Sequence, residues 1–491
     1  MKMQRLLHLL IMPAFVFSLL NNMACSSPNN KGQENENKKP LTANLDSLQQ
    51  AFLDLRFGMF IHFGMPTYSV HDWPDPLMDA KLFNPQKLDC RQWADVAQTA
   101  GMQYGCLTTK HHSGFCIWPT KTTDYSVASS PLHRDVVKEY ADAFRAKGMK
   151  VCLYYSILDI HHNIRAGWAD NKDNVDFIKQ QLTELLTNYG EITCLVVDGW
   201  DAEWSRISYD EIPFREIYDH VKSLQPNCLI CEHNGGEYPQ AGLFYTDIKH
   251  YEQHAGQIIS KETNKLPAQA GIPINKHWFW KKDFPTAPVI SADSIVNGNL
   301  IPMNEAHCNF ILNVAPNPDG LIDANAVAEL KKVGQMWKYP GKAPLLENID
   351  APILDPNLAK YCRMNSSWSL GKRTPDLAAD DDFTTAWVAQ EAYKEHYIEV
   401  VFDKEQEINA VGFMESTDPQ RYAMLQTSRI GSYDLQYFRD DTWHDLKVDE
   451  SNELLRLHRF SPVRAAKVRI NFHNCNPGLG ISEMLVYNER R

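Results

Sequence analysis

ITCLVVDG, residues 192–199, is a short apolar run that ends in a carboxylate and a glycine. A continuous apolar run bounded by turn residues is typical of a strand buried on both faces of a parallel sheet. Five similar runs lie at 57–64, 104–109, 150–156, 228–233 and 309–316. Amphipathic stretches with helical spacing of apolar residues separate them, for example 131–147 and 174–189. This alternation predicts an α/β domain of parallel strands joined by helices.

The repeated strand–helix units predict a (β/α)8 TIM-like barrel rather than a doubly wound sheet. Polar and aromatic residues cluster just after the strands, where a barrel places its active site, and no glycine-rich nucleotide loop occurs. After Pro340 the sequence pattern changes. A proline-rich linker is followed by short runs of alternating apolar and polar residues at 396–402, 408–415, 432–438 and 466–472. These runs predict an antiparallel β-sandwich. We expect a catalytic barrel over 41–345, and the linker and sandwich over 346–491.

The N-terminal segment has the pattern of an export signal. A basic start precedes an apolar run from Leu6 to Leu20, which is too short for a permanent membrane helix. Cys25 follows a small residue, as in lipoproteins acylated at that cysteine; plain secretion is the alternative. We expect a signal peptide over 1–24 and a polar tether over 25–40. The protein would then be exported to the periplasm or outer membrane of a Gram-negative bacterium, touching the membrane only through this anchor.

Composition excludes some functions and favours others. The formal net charge of the 491-residue chain is -12, which argues against a nucleic-acid partner. Twelve Trp and twenty Tyr provide flat faces of the kind that stack on sugar rings. Several cysteines after Cys25, namely Cys106, Cys152, Cys194 and Cys308, lie in apolar runs, which predicts buried free thiols. Cys228 and Cys231 have zinc-knuckle spacing, but no second pair follows, so we interpret them as part of a strand.

Three strand ends contain the residues suited to chemistry. His62 lies near the end of the run at 57–64, His111 and His112 follow the run at 104–109, and Asp198 lies near the end of the run at 192–199. Any one of them alone would be typical of a core histidine or a turn acid. Three polar strand ends at the active face of one barrel instead indicate a binding site. The sequence has no HExxH or HxH spacing, and contacts to sugar hydroxyls explain adjacent histidines as well as a metal does, so we predict no metal there.

Several of these motifs together resemble one family. RFGMFIHFG (56–64), LTTKHHSGFCIW (107–118), KVCLYYS (150–156), VVDGW (196–200) and NFILNVAPNPDGLID (309–323) resemble glycoside hydrolase family 29, the α-L-fucosidases. The resemblance covers about 60–340. It implies a retaining exo-α-L-fucosidase that removes terminal α-L-fucosyl residues from glycans and requires no cofactor. Asp72-Trp73 resembles the Glu-Trp pair of the subgroup that favours α-1,3/1,4 linkages, with Asp in place of Glu.

The resemblance also implies roles for individual residues. Asp198 matches the nucleophile. The implied substrate-binding residues are His62, Asp72, Trp73, His111, His112, Tyr155, Trp200, Gln269 and Trp280. The acid/base glutamate of the family aligns with Gln269, which cannot donate a proton as an acid. Glu252 is our substitute, and Glu232, Glu237 and Glu262 are alternatives.

The sequence leaves two other functions open. The first is a weakened fucose-binding protein, because Gln269 replaces an acid. The second is activity on α-L-galactosides, because an apolar pocket discriminates weakly against one added hydroxyl.

ADDDFTTAW (379–387) resembles part of the discoidin-like, coagulation-factor C-type sandwich. The resemblance suggests that this acidic loop could hold a structural Ca2+ through side-chain and backbone oxygens. The module would either bind sugar or buttress the barrel. We favour the buttress, because a module fused through a short linker often packs on its neighbour.

Overall fold

The computed structural model describes residues 43–168, 171–200, 205, 207–234, 242–416, 428–448 and 453–490. The predicted signal peptide and tether lie outside this range, and so does Glu237. Within the described range, no helix has both the length and the apolar character needed to cross a bilayer.

Eight parallel strands form the N-terminal domain. They are β1 (Phe57–Ile61), β2 (Tyr104–Lys110), β3 (Lys150–Ser156), β4 (Cys194–Asp198), β5 (Leu229–Glu232), β6 (Lys249–Glu252), β7 (Ala268–Pro273) and β8 (Cys308–Asn313). Hydrogen bonds join them in the order β5-β4-β3-β2-β1-β8-β7-β6. The N–H groups of Asp247 and Ile248 donate to the Ile230 carbonyl at 2.8 and 3.3 Å, which links the two ends of this sheet. The barrel prediction is therefore confirmed.

Helices lie between the strands along the chain, and their apolar faces pack against the outside of the barrel. They are α1 (Leu45–Leu53), α2 (Cys90–Ala100), α3 (Val136–Ala146), α4 (Lys172–Asn188), α5 (Phe214–Leu224), α6 (Ala292–Ile295), α7 (Ile301–Glu305) and α8 (Ala324–Met336). Side chains of Asp89, Asp135 and Asn171 accept backbone N–H groups at the starts of α2, α3 and α4. Phe52 of α1 packs on Tyr104 at 5.6 Å between ring centroids. Because Tyr104 begins β2, α1 covers the end of the barrel opposite the strands' carboxyl ends.

The C-terminal domain is the predicted antiparallel sandwich. Its strands are β9 (Arg363–Ser366), β10 (Trp387–Val388), β11 (His396–Glu415), β12 (Ser432–Arg439), β13 (Thr442–Leu446), β14 (Leu455–His473) and β15 (Gly480–Tyr487). The runs predicted at 396–402 and 408–415 are one long strand, β11, which pairs with β14 along its length. A register shift between Val401 and Gln406 marks the place where the sequence pattern breaks.

The sandwich shares a core with the barrel. Ala410, Met414, Leu455, Leu485 and Tyr487 belong to the same buried apolar cluster as the barrel's strands and helices. This packing agrees with the buttress interpretation of the module.

Polar and aromatic contacts continue the same junction. Phe383 packs on Phe244 of the barrel at 5.7 Å between ring centroids. Lys360 Nζ reaches Asp210 Oδ2 at 3.1 Å. The acidic loop that contains Phe383 therefore lies against the barrel.

The cysteines after Cys25 are free thiols, and nine of these ten are buried, as predicted. Cys106, Cys152 and Cys194 are register partners on β2, β3 and β4 and point into the barrel. Burial, followed by the charge of neighbouring thiols, raises the pKa of Cys106 and Cys152 well above the usual value. The thiols therefore act as small apolar side chains.

Candidate active site

A cavity of about 330 Å³ opens at the carboxyl ends of the barrel strands. Its lining residues are His62, Asp72, Trp73, His111, His112, Asp198, His233, Glu252 and Trp278. Each comes from a strand end or from the loop that follows it, because parallel strands direct all their carboxyl ends to one mouth.

Asp198 is held by two hydrogen bonds. Tyr154 donates its hydroxyl to Asp198 Oδ2 at 2.5 Å, and Asn234 donates Nδ2–H to Oδ1 at 3.2 Å. Burial, and then the negative charge of Asp198, raise the pKa of Tyr154 well above its usual value, so the phenol stays a donor. Gly199 follows with φ of +108°, and a Cβ there would lie 2.8 Å from the backbone nitrogen of Leu158. The sharp turn after the carboxylate therefore needs glycine.

Glu252 faces Asp198 across His233. His233 Nδ1 lies 3.6 Å from Asp198 Oδ2 and 3.7 Å from Glu252 Oε2. The Glu252 side chain is one-third exposed, whereas that of Asp198 is buried. One carboxylate is therefore fixed deep in the cavity, and the other is open to solvent near the mouth.

The structure assigns the proton positions of two cavity histidines. Asn313 donates Nδ2–H to the Trp278 carbonyl, so its Oδ1 faces His62 Nδ1 at 2.8 Å and accepts a hydrogen bond from it. Ser156 donates to the Leu158 carbonyl, so its oxygen likewise accepts from His112 Nδ1 at 2.7 Å. In both rings Nε2 is left as an acceptor.

Burial keeps these imidazoles uncharged. Desolvation first, and then nearby histidines, lower the pKa of His62, His111 and His112 well below the usual value. A neutral imidazole can both donate and accept, which suits the hydroxyl groups of a sugar. Trp278 lies on His62 at 4.9 Å and Trp73 on His112 at 4.7 Å between ring centroids, which adds apolar faces to the same wall.

Sequence comparisons give the family of this chain. The family model described as Alpha-L-fucosidase matches residues 71–342, more than half of the chain. The chain belongs to the α-L-fucosidase family. It is therefore a glycoside hydrolase with a fucosylated glycan as substrate, of a kind that works without a cofactor. A second model, described as F5/8 type C domain, matches residues 363–485 and confirms the resemblance noted for the sandwich.

Individual relatives agree with this membership. Alpha-L-fucosidase 1 of Arabidopsis thaliana is 28% identical over 76% of this chain and 75% of its own. Tissue alpha-L-fucosidase of Rattus norvegicus is 24% identical over 61% of this chain and 70% of its own. The solved structure of alpha-L-fucosidase isoenzyme 1 from Paenibacillus thiaminolyticus has a TM-score of 0.51 at 23% identity, covering 88% of this chain and 99% of that one, and shares the fold.

The fucosidase cavity brings together seven of the predicted site residues: His62, Asp72, Trp73, His111, His112, Asp198 and Glu252. The prediction that Tyr155 binds substrate is wrong. It points away from the barrel axis, where Lys110 Nζ donates to its hydroxyl at 3.0 Å and Gln181 accepts from it at 2.7 Å. Tyr154, one residue earlier, takes the position beside Asp198.

Trp200 and Trp280 are also corrections to the fucosidase site. Trp200 is fully buried, donates Nε1–H to the Ile212 carbonyl at 2.8 Å and packs behind β4 on Phe214. Trp280 donates to Asp323 at 2.7 Å. The aromatic wall on that side of the cavity is Trp278, two residues earlier.

The predicted place of Gln269 at the acid/base position is also wrong. It is the second residue of β7, and Tyr104, the first residue of β2, donates to its Oε1 at 2.8 Å. Both positions belong to the end of the barrel opposite the cavity. Gln269 therefore does not occupy the place of an acid/base residue at the cavity.

The other candidate acids lie elsewhere. Glu232 is buried and accepts the Asn234 N–H at 3.0 Å, and Glu262 lies on the surface beside Ser260. His233, Asn234 and Trp278 were missed by the sequence analysis. For His233 and Asn234 a signal existed, because His233 ends the run predicted as a strand at 228–233 and Asn234 directly follows it. Across the described residues, no group of three or more His, Cys, Asp or Glu side chains could hold a metal ion.

Proposed function

We propose that the enzyme is a retaining exo-α-L-fucosidase that acts by double displacement. Asp198 attacks the anomeric carbon while Glu252 protonates the glycosidic oxygen, which releases the aglycone. Glu252 then removes a proton from the water that hydrolyses the fucosyl-enzyme. The observation that carries this proposal is the position of the two carboxylates, at the ends of β4 and β6, facing one cavity on either side of His233.

The spacing of the carboxylates is compatible with retention. Their oxygens Asp198 Oδ2 and Glu252 Oε2 both lie near His233 Nδ1, so their separation cannot exceed the two distances laid end to end. Retaining glycosidases need roughly 5–5.5 Å between the carboxyl groups, which falls within this limit.

The cavity supports removal of a terminal residue. Its volume of about 330 Å³ is near the lower end of ligand pockets, which span roughly 300–1,000 Å³. Neutral imidazoles would bind the fucose hydroxyls, and Trp278 would contact an apolar face of the sugar. Asp72 and the half-exposed Trp73 would meet the aglycone at the mouth, where we propose a preference for α-1,3/1,4 linkages.

Two variants test the roles of the carboxylates. Asp198→Asn should abolish turnover of both an aryl α-L-fucoside and a fucosylated trisaccharide. Glu252→Gln should slow the trisaccharide by about 10²–10⁴-fold, because its leaving group needs a general acid. It should slow release of an activated aryl group far less. NMR of the first product should show the α anomer.

Glu262→Gln is the matched control, since Glu262 is an exposed glutamate of the segment that follows β6. It should behave as wild type. An inverted first product, or a Glu252→Gln enzyme that cleaves the trisaccharide at the wild-type rate, would refute the assignment.

Activity on α-L-galactosides is the remaining alternative, because L-galactose differs only by a hydroxyl on the fucose methyl. The ratio of kcat/KM for the two aryl glycosides decides between them. The alternative of a weakened fucose-binding protein is no longer supported, because it depended on Gln269 occupying the position of the acid.

We further propose a structural Ca2+ in the sandwich. Glu483 is 1% exposed, and neither of its carboxylate oxygens has a hydrogen bond of normal geometry. Burial, and then the charges of Asp381 and Asp380, raise its pKa well above the usual range. A cation bound at Glu483 would relieve this repulsion, and backbone carbonyl oxygens would have to supply most of its ligands, because no three acidic side chains of the described residues are grouped to hold a metal.

We also propose export with a lipid anchor at Cys25. Labelling of the expressed full chain with a radioactive fatty acid tests this, and Cys25→Ser should remove the label.

A further inference from the structure

Gln269 lies in a buried polar chain along the barrel axis. Tyr104 donates to Gln269 Oε1 at 2.8 Å, and the Gln269 amide contacts His250 Nδ1 at 3.1 Å. All three residues are at most 1% exposed. Buried polar groups are costly unless they are hydrogen-bonded, so each contact in this chain constrains the next.

The chain determines which nitrogen of His250 carries the proton. The amide oxygen of Gln269 is taken by the Tyr104 hydroxyl, so the amide N–H faces His250 and Nδ1 must accept. Burial, and then the neighbouring rings of His233 and His62, hold the pKa of His250 well below its usual value. The ring is therefore neutral, with its single proton on Nε2.

His250 stacks on the ring that separates the two carboxylates. The centroids of His250 and His233 are 4.4 Å apart, and the ring planes differ by 26°. The titratable groups that face these two rings are Asp198, Glu252, Tyr154, His62, His111 and His112. A change in the orientation or proton of His250 is therefore felt first by His233, and through it by Asp198 and Glu252.

We propose that Gln269 and His250 are positioning residues of the reaction: Gln269 holds His250 in the Nε2–H tautomer, and His250 holds His233 between the nucleophile and the acid. The inference rests on the proposed roles of Asp198 and Glu252. Neither Gln269 nor His250 lines the cavity, so their effect passes through His233. A misplacement of catalytic groups by about 1 Å costs on the order of 10²-fold in rate.

Gln269→Met removes the amide at nearly constant volume. We expect kcat on the fucosylated trisaccharide to fall about 10–100-fold with KM within about twofold, because the substrate contacts stay in place. The midpoints of the pH profile of kcat/KM should move, because the charges around His233 rearrange.

Gln269→Glu is the complementary variant. Its carboxylate accepts from Tyr104 and also requires a proton on His250 Nδ1, so it imposes the opposite tautomer. The added negative charge should move the basic midpoint of the pH profile upward. NMR of 15N-histidine-labelled wild-type enzyme should show His250 protonated at Nε2, with the signal assigned by comparison with His250→Gln.

Asn309→Leu is the matched control. Asn309 is the register partner of Gln269 on β8, equally buried, but its amide donates to the Phe52 carbonyl in α1. It should lower thermal stability and leave kcat and the pH midpoints of the folded enzyme unchanged.

A Gln269→Met enzyme with wild-type kcat and pH midpoints, or a His250 proton on Nδ1 in the wild type, would overturn the inference. The proposed function fails separately. Turnover by Asp198→Asn would overturn the nucleophile assignment, whereas an inactive Asp198→Asn beside an unchanged Gln269→Met would overturn only the positioning role.

Discussion

Tyr154 and Tyr155 are neighbours in β3, equally buried, and they face opposite sides of the strand. Successive side chains of a strand alternate between its faces, so only one of the two can reach Asp198. The sequence could not show which one, because a parallel barrel strand is apolar on both faces and has no polar side to mark the cavity. Asp198 itself was predictable, since it ends its strand.

This pair makes a controlled experiment. Tyr154→Phe removes the donor to Asp198 Oδ2, and hydrogen bonds to charged groups are worth about 1.5–3 kcal/mol. We expect kcat to fall about ten- to a hundredfold. Tyr155→Phe removes a similar bond on the far side of the strand and should lower the melting temperature while kcat stays within about twofold. Equal losses of kcat in the two variants would contradict the assignment of Tyr154 to the site.

At the scale of elements, β6 and β7 are the strands that the sequence analysis missed. Their sequences are KHYE and AQAGIP, which contain charged, amide, glycine or proline residues in place of an apolar run. Pairing of β6 with β7, and of β7 with β8, makes them strands despite this composition. The same missing strand explains the wrong alignment of Gln269 with the acid/base residue. Because β7 was not recognised, the sequence could not show that Gln269 lies at the end of the barrel opposite the cavity. The six strands with apolar runs were all found.

An ion pair also joins two elements at this scale. Lys110 at the end of β2 reaches Asp159 Oδ2 in the loop after β3 at 3.0 Å, and both side chains are fully buried. Burial raises the pKa of Asp159, but the charge of Lys110 and the hydrogen bonds of His162 outweigh it, so the net pKa lies below the usual 3.8. A depressed carboxyl pKa gives stability that is present above the unfolded value and lost as pH falls.

We therefore expect the wild-type melting temperature to decline as pH falls below about 4, with this pair contributing to the slope. Asp159→Asn leaves Lys110 buried without its counter-charge and should cost about 3–5 kcal/mol at pH 7. It should also flatten the acid slope. The exposed pair Lys138–Asp142 is the control, and Asp142→Asn should leave the melting curve unchanged. An Asp159→Asn curve parallel to that of the wild type would contradict the prediction.

At the scale of the whole molecule, the shared core makes the sandwich a structural part of the enzyme. Met414 and Leu485 of the sandwich lie in the barrel's apolar cluster, so neither domain can unfold without exposing the other. The sequence predicted two domains and a short linker. It could not show this joint core, because the alternating pattern of β11 marks buried residues without telling which body covers them.

Calcium should therefore act on the whole molecule. Chelation with EGTA is expected to lower the melting temperature of a single cooperative transition, because loss of the ion leaves Glu483 beside Asp380 and Asp381. Activity at 25 °C should be unchanged, since the cavity uses no metal in the proposed reaction. Glu483→Gln should abolish the effect of EGTA. Two separated transitions, or a melting curve insensitive to EGTA in the wild type, would contradict this account.

The buried thiols can report how often the barrel opens. Cys106, Cys152 and Cys194 sit inside the barrel with raised pKa values, so an alkylating reagent cannot reach them as thiolates while the strands are closed. Cys362, at the surface of the sandwich, is partly exposed and should label first. The rate at which mass spectrometry detects label on the barrel thiols would then measure how often the barrel opens under native conditions, without any introduced probe.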